Sequence, residues 1–202
     1  MTEADLNARH AEKMKKVQAA RARMMASKTV ERGLVIVHTG TGKGKTTAAL
    51  GMVCRMIGHG MKVSIIQFIK GAMETGEQNL FDAFPDLVEM RPMGEGFTWD
   101  TQDRTRDIAK VREAWEAAKA RIMDPEWKMV VCDELNIALR YDYLPVAEVL
   151  EVLAARPADT HVVITGRNAP PELIEAADLV TDMQMLKHPF RTGVKAQAGV
   201  EF

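Results

Sequence analysis

The sequence predicts an α/β fold, a mostly parallel sheet with helices on both faces. Short apolar runs of strand length recur along the chain, and segments with apolar residues at helical spacing separate them. The first run also passes through a glycine-rich turn directly into such a segment. Strand runs alternating with helices pair in parallel and are covered on both sides. At 202 residues and 47% hydrophobic, the chain can bury one sizeable core, so residues 31–202 read as a single domain.

Residues 1–30 form a separate arm. Its first 28 residues hold seven Lys/Arg against three Asp/Glu, with Met14, Val17, Met24 and Met25 at roughly helical spacing. Two readings of this basic amphipathic segment stand. It is a solvated helix resting on the domain, or a flap that orders over an active site when Arg9, Lys13, Lys16, Arg21 and Arg23 meet an anionic ligand.

Beyond the arm, Leu34–Val37 reads as the first buried strand and Lys45–Gly58 as the helix that follows the glycine-rich turn. Val63–Ile69 is a second strand, Glu77–Phe84 a short helix, and Leu87–Met90 a weaker strand. The clearest helix covers Asp103–Met123, where Ile108, Val111, Trp115, Ala118 and Ile122 make one apolar stripe with charges opposite. Met129–Cys132 and His161–Thr165 are strands flanking a helix at Val146–Ala155. Pro171–Ala177 is a further helix and Leu179–Val180 a weak strand, after which an irregular tail carries His188 and Lys195. Ligands of such sheets bind beyond the carboxyl ends of the strands.

Charge and cysteine content exclude several classes. Lys plus Arg (27) nearly cancel Asp plus Glu (28), so no global field marks a nucleic-acid or anionic-membrane partner. No apolar run approaches the ~18 residues of a spanning helix, and the chain is expected to be cytoplasmic. Cys54 and Cys132 lie apart in apolar segments and read as reduced thiols, not as zinc ligands.

The chemistry is concentrated at strand ends. Thr39 to Thr46 fits the phosphate-loop pattern G-x-x-x-x-G-K-[ST] except that Thr39 takes the place of the first glycine. Gly40, Gly42 and Gly44 let backbone N–H groups turn toward one centre, and the helix starting near Lys45 adds the positive end of its dipole. The segment is an anion cradle for a nucleoside triphosphate, with ATP expected. Lys45 would neutralise phosphate oxygens, and the Thr46 hydroxyl would ligate magnesium, or manganese in its place. The sheet is therefore expected to be of the RecA-like P-loop NTPase type. Asp133 and Glu134 follow an apolar strand at the same edge, and one of them should hold the metal; spacing does not say which. The alternative for the pair is capping of the next helix. Phe97 and Trp99, one residue apart in a glycine-containing loop, would point the same way in an extended chain. Core packing and a ligand platform explain them equally well.

Taken together, Gly40-Thr-Gly-Lys-Gly-Lys-Thr-Thr47, Gln67-Phe-Ile-Lys-Gly71, Gly96-Phe-Thr-Trp-Asp-Thr-Gln102, Asp133-Glu-Leu-Asn136, Tyr141-Asp-Tyr-Leu-Pro145, Ile164-Thr-Gly-Arg167 and Gly193-Val-Lys-Ala-Gln197 resemble the bacterial P-loop ATP:cob(I)alamin adenosyltransferases. The match runs from about residue 9 to the end, and Thr41 is a mild departure from a position where Asn is commoner. The resemblance implies that the cobalt(I) of a reduced corrinoid attacks the 5′ carbon of ATP and expels triphosphate, in adenosylcobalamin biosynthesis or salvage. Lys45 then stabilises the leaving group, while Phe97 and Trp99 pack on the lower corrin face and displace its lower ligand. The nucleotide-binding set becomes Gly40, Thr41, Gly42, Lys43, Gly44, Lys45, Thr46 and Thr47, with Arg55 and Arg167 as further candidates; Thr46, Asp133 and Glu134 are the metal candidates. The resemblance also implies a homodimer, an electron donor such as a flavoprotein, and a flap role for the arm. The competing readings are an ATPase or phosphotransferase acting on the γ-phosphate and a nucleotide switch without turnover.

Overall fold

The computed structural model describes residues 2–69, 75–94 and 103–201. Two units are distinguished, residues 1–31 and residues 32–202. In the first, α1 (Glu3–Ala26) opens with a reciprocal cap: the Asp5 amide donates to Thr2 Oγ1 at 3.3 Å and the Thr2 amide to Asp5 Oδ2 at 2.9 Å. Within that unit all of its side chains are exposed, Leu6, Val17, Met24 and Met25 among them.

The second unit is built on six strands, β1 (Val35–Thr39), β2 (Val63–Gln67), β3 (Val88–Pro92), β4 (Met129–Asp133), β5 (His161–Thr165) and β6 (Leu179–Asp182). They form one sheet in the order β3-β2-β4-β5-β1-β6, and every pair is parallel. The helices are α2 (Lys45–Gly58), α3 (Gly76–Phe81), α4 (Arg104–Ile122), α5 (Leu135–Arg140), α6 (Val146–Ala155) and α7 (Pro171–Ala176).

Alternation along the strands separates two cores. Val35, Val37, Val130, Cys132, Val162 and Ile164 face α4 to α7, where Trp115, Ile122, Leu135, Val149 and Leu173 pack against them. Ile36, Val63, Ile65, Val131 and Val163 face α2 and α3, meeting Leu50, Val53 and Phe81. The stripe expected on α4 is the one buried: Val111, Trp115, Ala118 and Ile122 are inaccessible and Ile108 packs at the margin. The two weak strands are the sheet's edges. All four residues of β6 are exposed, so it lacks the continuous apolar run that marks a strand buried on both faces. Helix α5, six residues long, spans too few turns to show a period.

The two thiols differ in environment. Burial, with the neighbouring Asp133 carboxylate second, pushes the Cys132 thiol up to about 12, whereas Cys54 is exposed. One thiol is therefore expected to react with a disulfide reagent at pH 8 in the native protein and two after denaturation. Two fast native equivalents would contradict the burial of Cys132.

Candidate phosphate site at the carboxyl edge of the sheet

Register brings the carboxyl ends of the strands to one level. Thr39 pairs with Asp182, His38 with Thr165, and Gln67 with Asp133. Five of the six strands thus end in a row of polar groups. Because β5 lies between β1 and β4, Thr165 fills the gap between the loop-bearing strand and the carboxylate-bearing strand.

Gly40 to Gly44 carry the chain from β1 into α2, with Gly40 at φ 95° and Gly44 at φ 105°, where a side chain is strained. The chain after β6 supports the loop from beneath: the Gly42 amide donates to the Met183 carbonyl at 2.6 Å, and the Met183 amide to the Thr39 carbonyl at 2.9 Å. A Cβ on Gly40 would stand 2.5 Å from the Met183 carbonyl oxygen, and one on Gly42 2.7 Å from it. Glycine is required there by close backbone approach.

Lys45, the first residue of α2, is only 6% exposed, and its ammonium donates to the carbonyls of Gly40 (2.9 Å) and Gly42 (2.5 Å). A buried cation held by neutral acceptors is poorly compensated. Burial accordingly lowers the Lys45 pKa; Glu134 opposes that shift, Arg167 adds to it, and Asp182 opposes it. A triphosphate in the loop should raise the value again. ATP affinity from this group would then be fully present below the free-loop pKa and lost as pH rises through the bound-state pKa. Calorimetry of ATP binding at alkaline pH in two buffers of unlike ionisation enthalpy should reveal proton uptake. Identical heats in both buffers would refute the linkage.

Asp133 is fully buried, and three donors hold its carboxylate: Thr46 at 2.8 Å and Thr165 at 2.7 Å on Oδ1, and Gln67 at 3.1 Å on Oδ2. Each hydrogen bond to a charged acceptor contributes about 1.5–3 kcal/mol. Thr165 Oγ1 also accepts from the Glu134 amide at 2.9 Å. Glu134 stands at φ 64° and ψ 18°, at the head of α5, but its side chain makes no cap hydrogen bond. Helix capping is therefore not what its carboxylate does; it lies beside Gly166 and acts electrostatically on Lys45. Among the described residues no group of three or more His, Cys, Asp or Glu forms a metal cluster. The hard oxygen donors gathered beside the loop are Thr46 and the Asp133 carboxylate.

The other expected residues divide sharply. Lys43 pairs with Glu201 of the tail, Thr41 and Thr47 are exposed on the loop and the first turn of α2, and Arg167 is exposed directly after Gly166. Arg55 is not brought to the loop. It sits exposed in the last turn of α2, ten residues and thus about 15 Å along the axis from Lys45. Phe97, Trp99 and Lys70 lie outside the described residues. Thr165, Asn136 and Asp182 were not singled out from sequence, although Thr165 and Asp182 are polar residues closing strands.

The profile of a family described as "ATP:corrinoid adenosyltransferase BtuR/CobO/CobP" matches residues 31–202. A corrinoid adenosyltransferase of a Sinorhizobium species is 59% identical over 97% of this chain and 92% of its own length. Those of Pseudomonas aeruginosa and Escherichia coli K12 are 54% and 49% identical, covering 96% and 85% of this chain and 96% and 87% of theirs. The crystal structure of the RadB recombinase aligns over 79% of this chain and 78% of that one with a TM-score of 0.47 at 18% identity, a distance at which no site residue is carried across.

Proposed function

The chain belongs to the ATP:corrinoid adenosyltransferase family and uses ATP to adenosylate a corrinoid, and we propose that its phosphate loop serves to stabilise triphosphate as the leaving group. The observation that carries this reading is the Thr46–Asp133 contact beside the buried Lys45 ammonium.

In the proposed reaction the substrate's cobalt(I) supplies the electron pair that forms a cobalt–carbon bond to C5′ of the ribose. The C5′–O bond breaks, and its pair leaves on the triphosphate. Charge grows on the α-phosphate oxygens, where Lys45, the loop N–H groups and Arg167 would oppose it. Lys43 would exchange Glu201 for phosphate. Thr46 and one of the two carboxylates fit a magnesium ion, or manganese, since such ions take one or two protein oxygens and complete their shell with phosphate and water. That ion would neutralise the leaving group. Asp133, which accepts from three donors, is the anchor of the Thr46 hydroxyl, and Glu134 is the second carboxylate for the metal or its waters.

Phe97 and Trp99 would supply the apolar face under the corrin. Displacing the lower axial ligand removes a donor that raises the acceptor orbital of cobalt(II), and so eases reduction. Homodimer formation, closure of the basic arm over bound nucleotide, a flavoprotein as electron source and a cytoplasmic setting complete the proposal.

Anaerobic mixing of protein, ATP, magnesium and cob(I)alamin is expected to give a light-sensitive cobalt–carbon product and one triphosphate per turnover. Orthophosphate with ADP would instead support action at the γ-phosphate. The Phe97→Ala/Trp99→Ala double variant should lose roughly tenfold or more in rate when started from cob(II)alamin with a reductant, about 1.4 kcal/mol or more in barrier. It should keep most of its rate with pre-reduced cob(I)alamin. Equal losses from both starting states would remove the proposed role of the pair.

A further inference from the structure

We propose that Asn136 is a positioning residue that fixes the Gly166–Arg167 turn against the phosphate cradle. This rests on the assignment of Arg167 to the triphosphate. Asn136 is the second residue of α5 and fully buried, and its side-chain amide donates to the Gly166 carbonyl at 3.0 Å. A carbonyl only accepts, so that bond sets which end of the amide faces Gly166. On its other side Gly166 donates its N–H to the His38 carbonyl at 3.2 Å. The Gly166 peptides are therefore held from β1, which carries the phosphate loop, and from α5, which follows the carboxylate pair.

The fit leaves no slack. Gly166 has φ 127°, a conformation that favours glycine, and a Cβ there would stand 2.9 Å from Asn136 Cβ and 3.1 Å from Glu134 Oε2. Arg167 thus leaves the sheet from a defined origin between the loop and Glu134. It is near enough to Lys45 for the two positive charges to interact.

Stability alone does not account for an asparagine at this position. Among the described residues Asn136 Oδ1 has no hydrogen-bond partner although it is buried. A leucine of similar volume would remove the unpaired Oδ1 but leave the buried Gly166 carbonyl without its donor, so one unmatched acceptor would replace another. What leucine could not do is grip the Gly166 carbonyl. The amide's one bond holds the peptide that leads into Arg167.

The test compares Asn136→Leu, Asn136→Ala, Arg167→Ala and the Leu/Ala double variant at positions 136 and 167, with pre-reduced cob(I)alamin and full-length protein. Asn136→Leu is expected to keep a melting temperature close to wild type and to lose roughly tenfold in kcat with little change in KM for ATP, a split that a general loss of packing would not give. In the double variant the rate should equal that of Arg167→Ala alone, because the two act through one group.

Wild-type kcat in Asn136→Leu, or losses that multiply in the double variant, would overturn the inference while leaving the Arg167 assignment standing. Full activity in Arg167→Ala would overturn both. Should Asn136→Leu fail to fold, Asn136→Ala takes its place in the same cycle: wild-type kcat, or losses that multiply with Arg167→Ala, overturns the inference, and a kcat loss absorbed by Arg167→Ala supports it.

Discussion

Replacing Lys45 with Met is expected to slow adenosylation of pre-reduced cob(I)alamin by about 10²–10³-fold, the range found when one preorganised charge-stabilising donor is removed from a water-excluded site. Met keeps the apolar stem of the side chain and deletes the terminal ammonium with its charge and its hydrogen bonds to the loop carbonyls. Without ligand, the Lys45 ammonium is held by the Gly40 and Gly42 carbonyls, so it stands at the centre of the loop before the triphosphate arrives. Little reorganisation is then needed as charge builds on the leaving group. Stability should move the other way or hardly at all, because burying a poorly compensated cation is costly. Single-turnover rates with the melting temperature of the same samples check both statements. A Met variant within about threefold of the wild-type rate would remove Lys45 from the chemistry, since about 0.7 kcal/mol is too little for such a donor.

Asp133→Asn is expected to lose both stability and activity. The native carboxylate accepts from Thr46, Thr165 and Gln67 on two oxygens, but an asparagine has one acceptor oxygen and turns an NH₂ toward the other donors. The loss of charge weakens these bonds, at about 1–3 kcal/mol in all, and Gln67 must turn its amide over to accept from the new NH₂. The affected groups span three strands and the start of α2, so the lesion should disturb the cradle as a unit. Activity should fall about 10–100-fold, the usual cost of disturbing the partner that orients a metal ligand, and the magnesium requirement should rise. Wild-type activity at an unchanged magnesium requirement would show that Asp133 is dispensable for Thr46 placement. Comparing magnesium titrations of the two proteins at one ATP concentration distinguishes the outcomes.

The features readable without coordinates are those whose physics is local. Val35–Thr39, Val63–Gln67, Met129–Asp133 and His161–Thr165 are rich in apolar residues because strands of a covered parallel sheet are buried on both faces. Gly40 to Thr46 are legible as a glycine-rich turn into a helix because loop glycines and a helix start act within eight residues of chain. Arg55 shows where local pattern misleads. It belongs to the helix that begins in the loop, yet a rise of 1.5 Å per residue carries it to the far end.

What only the tertiary structure decided is which strand ends meet. The order β3-β2-β4-β5-β1-β6 sets β5 between the loop strand and the carboxylate strand, and no periodicity encodes that permutation. Hence Thr165 and Gln67 converge on Asp133 across 32 and 66 residues of sequence, and Thr46 reaches it across 87. Asn136 likewise meets Gly166 across 30. The sequence by itself determined the buried strands, the longer helices, the glycine-rich loop and the chemical types available at its edge. Contacts between distant residues arise from packing the whole sheet, and that packing alone brought Asp133 to Thr46 and Asn136 to Gly166.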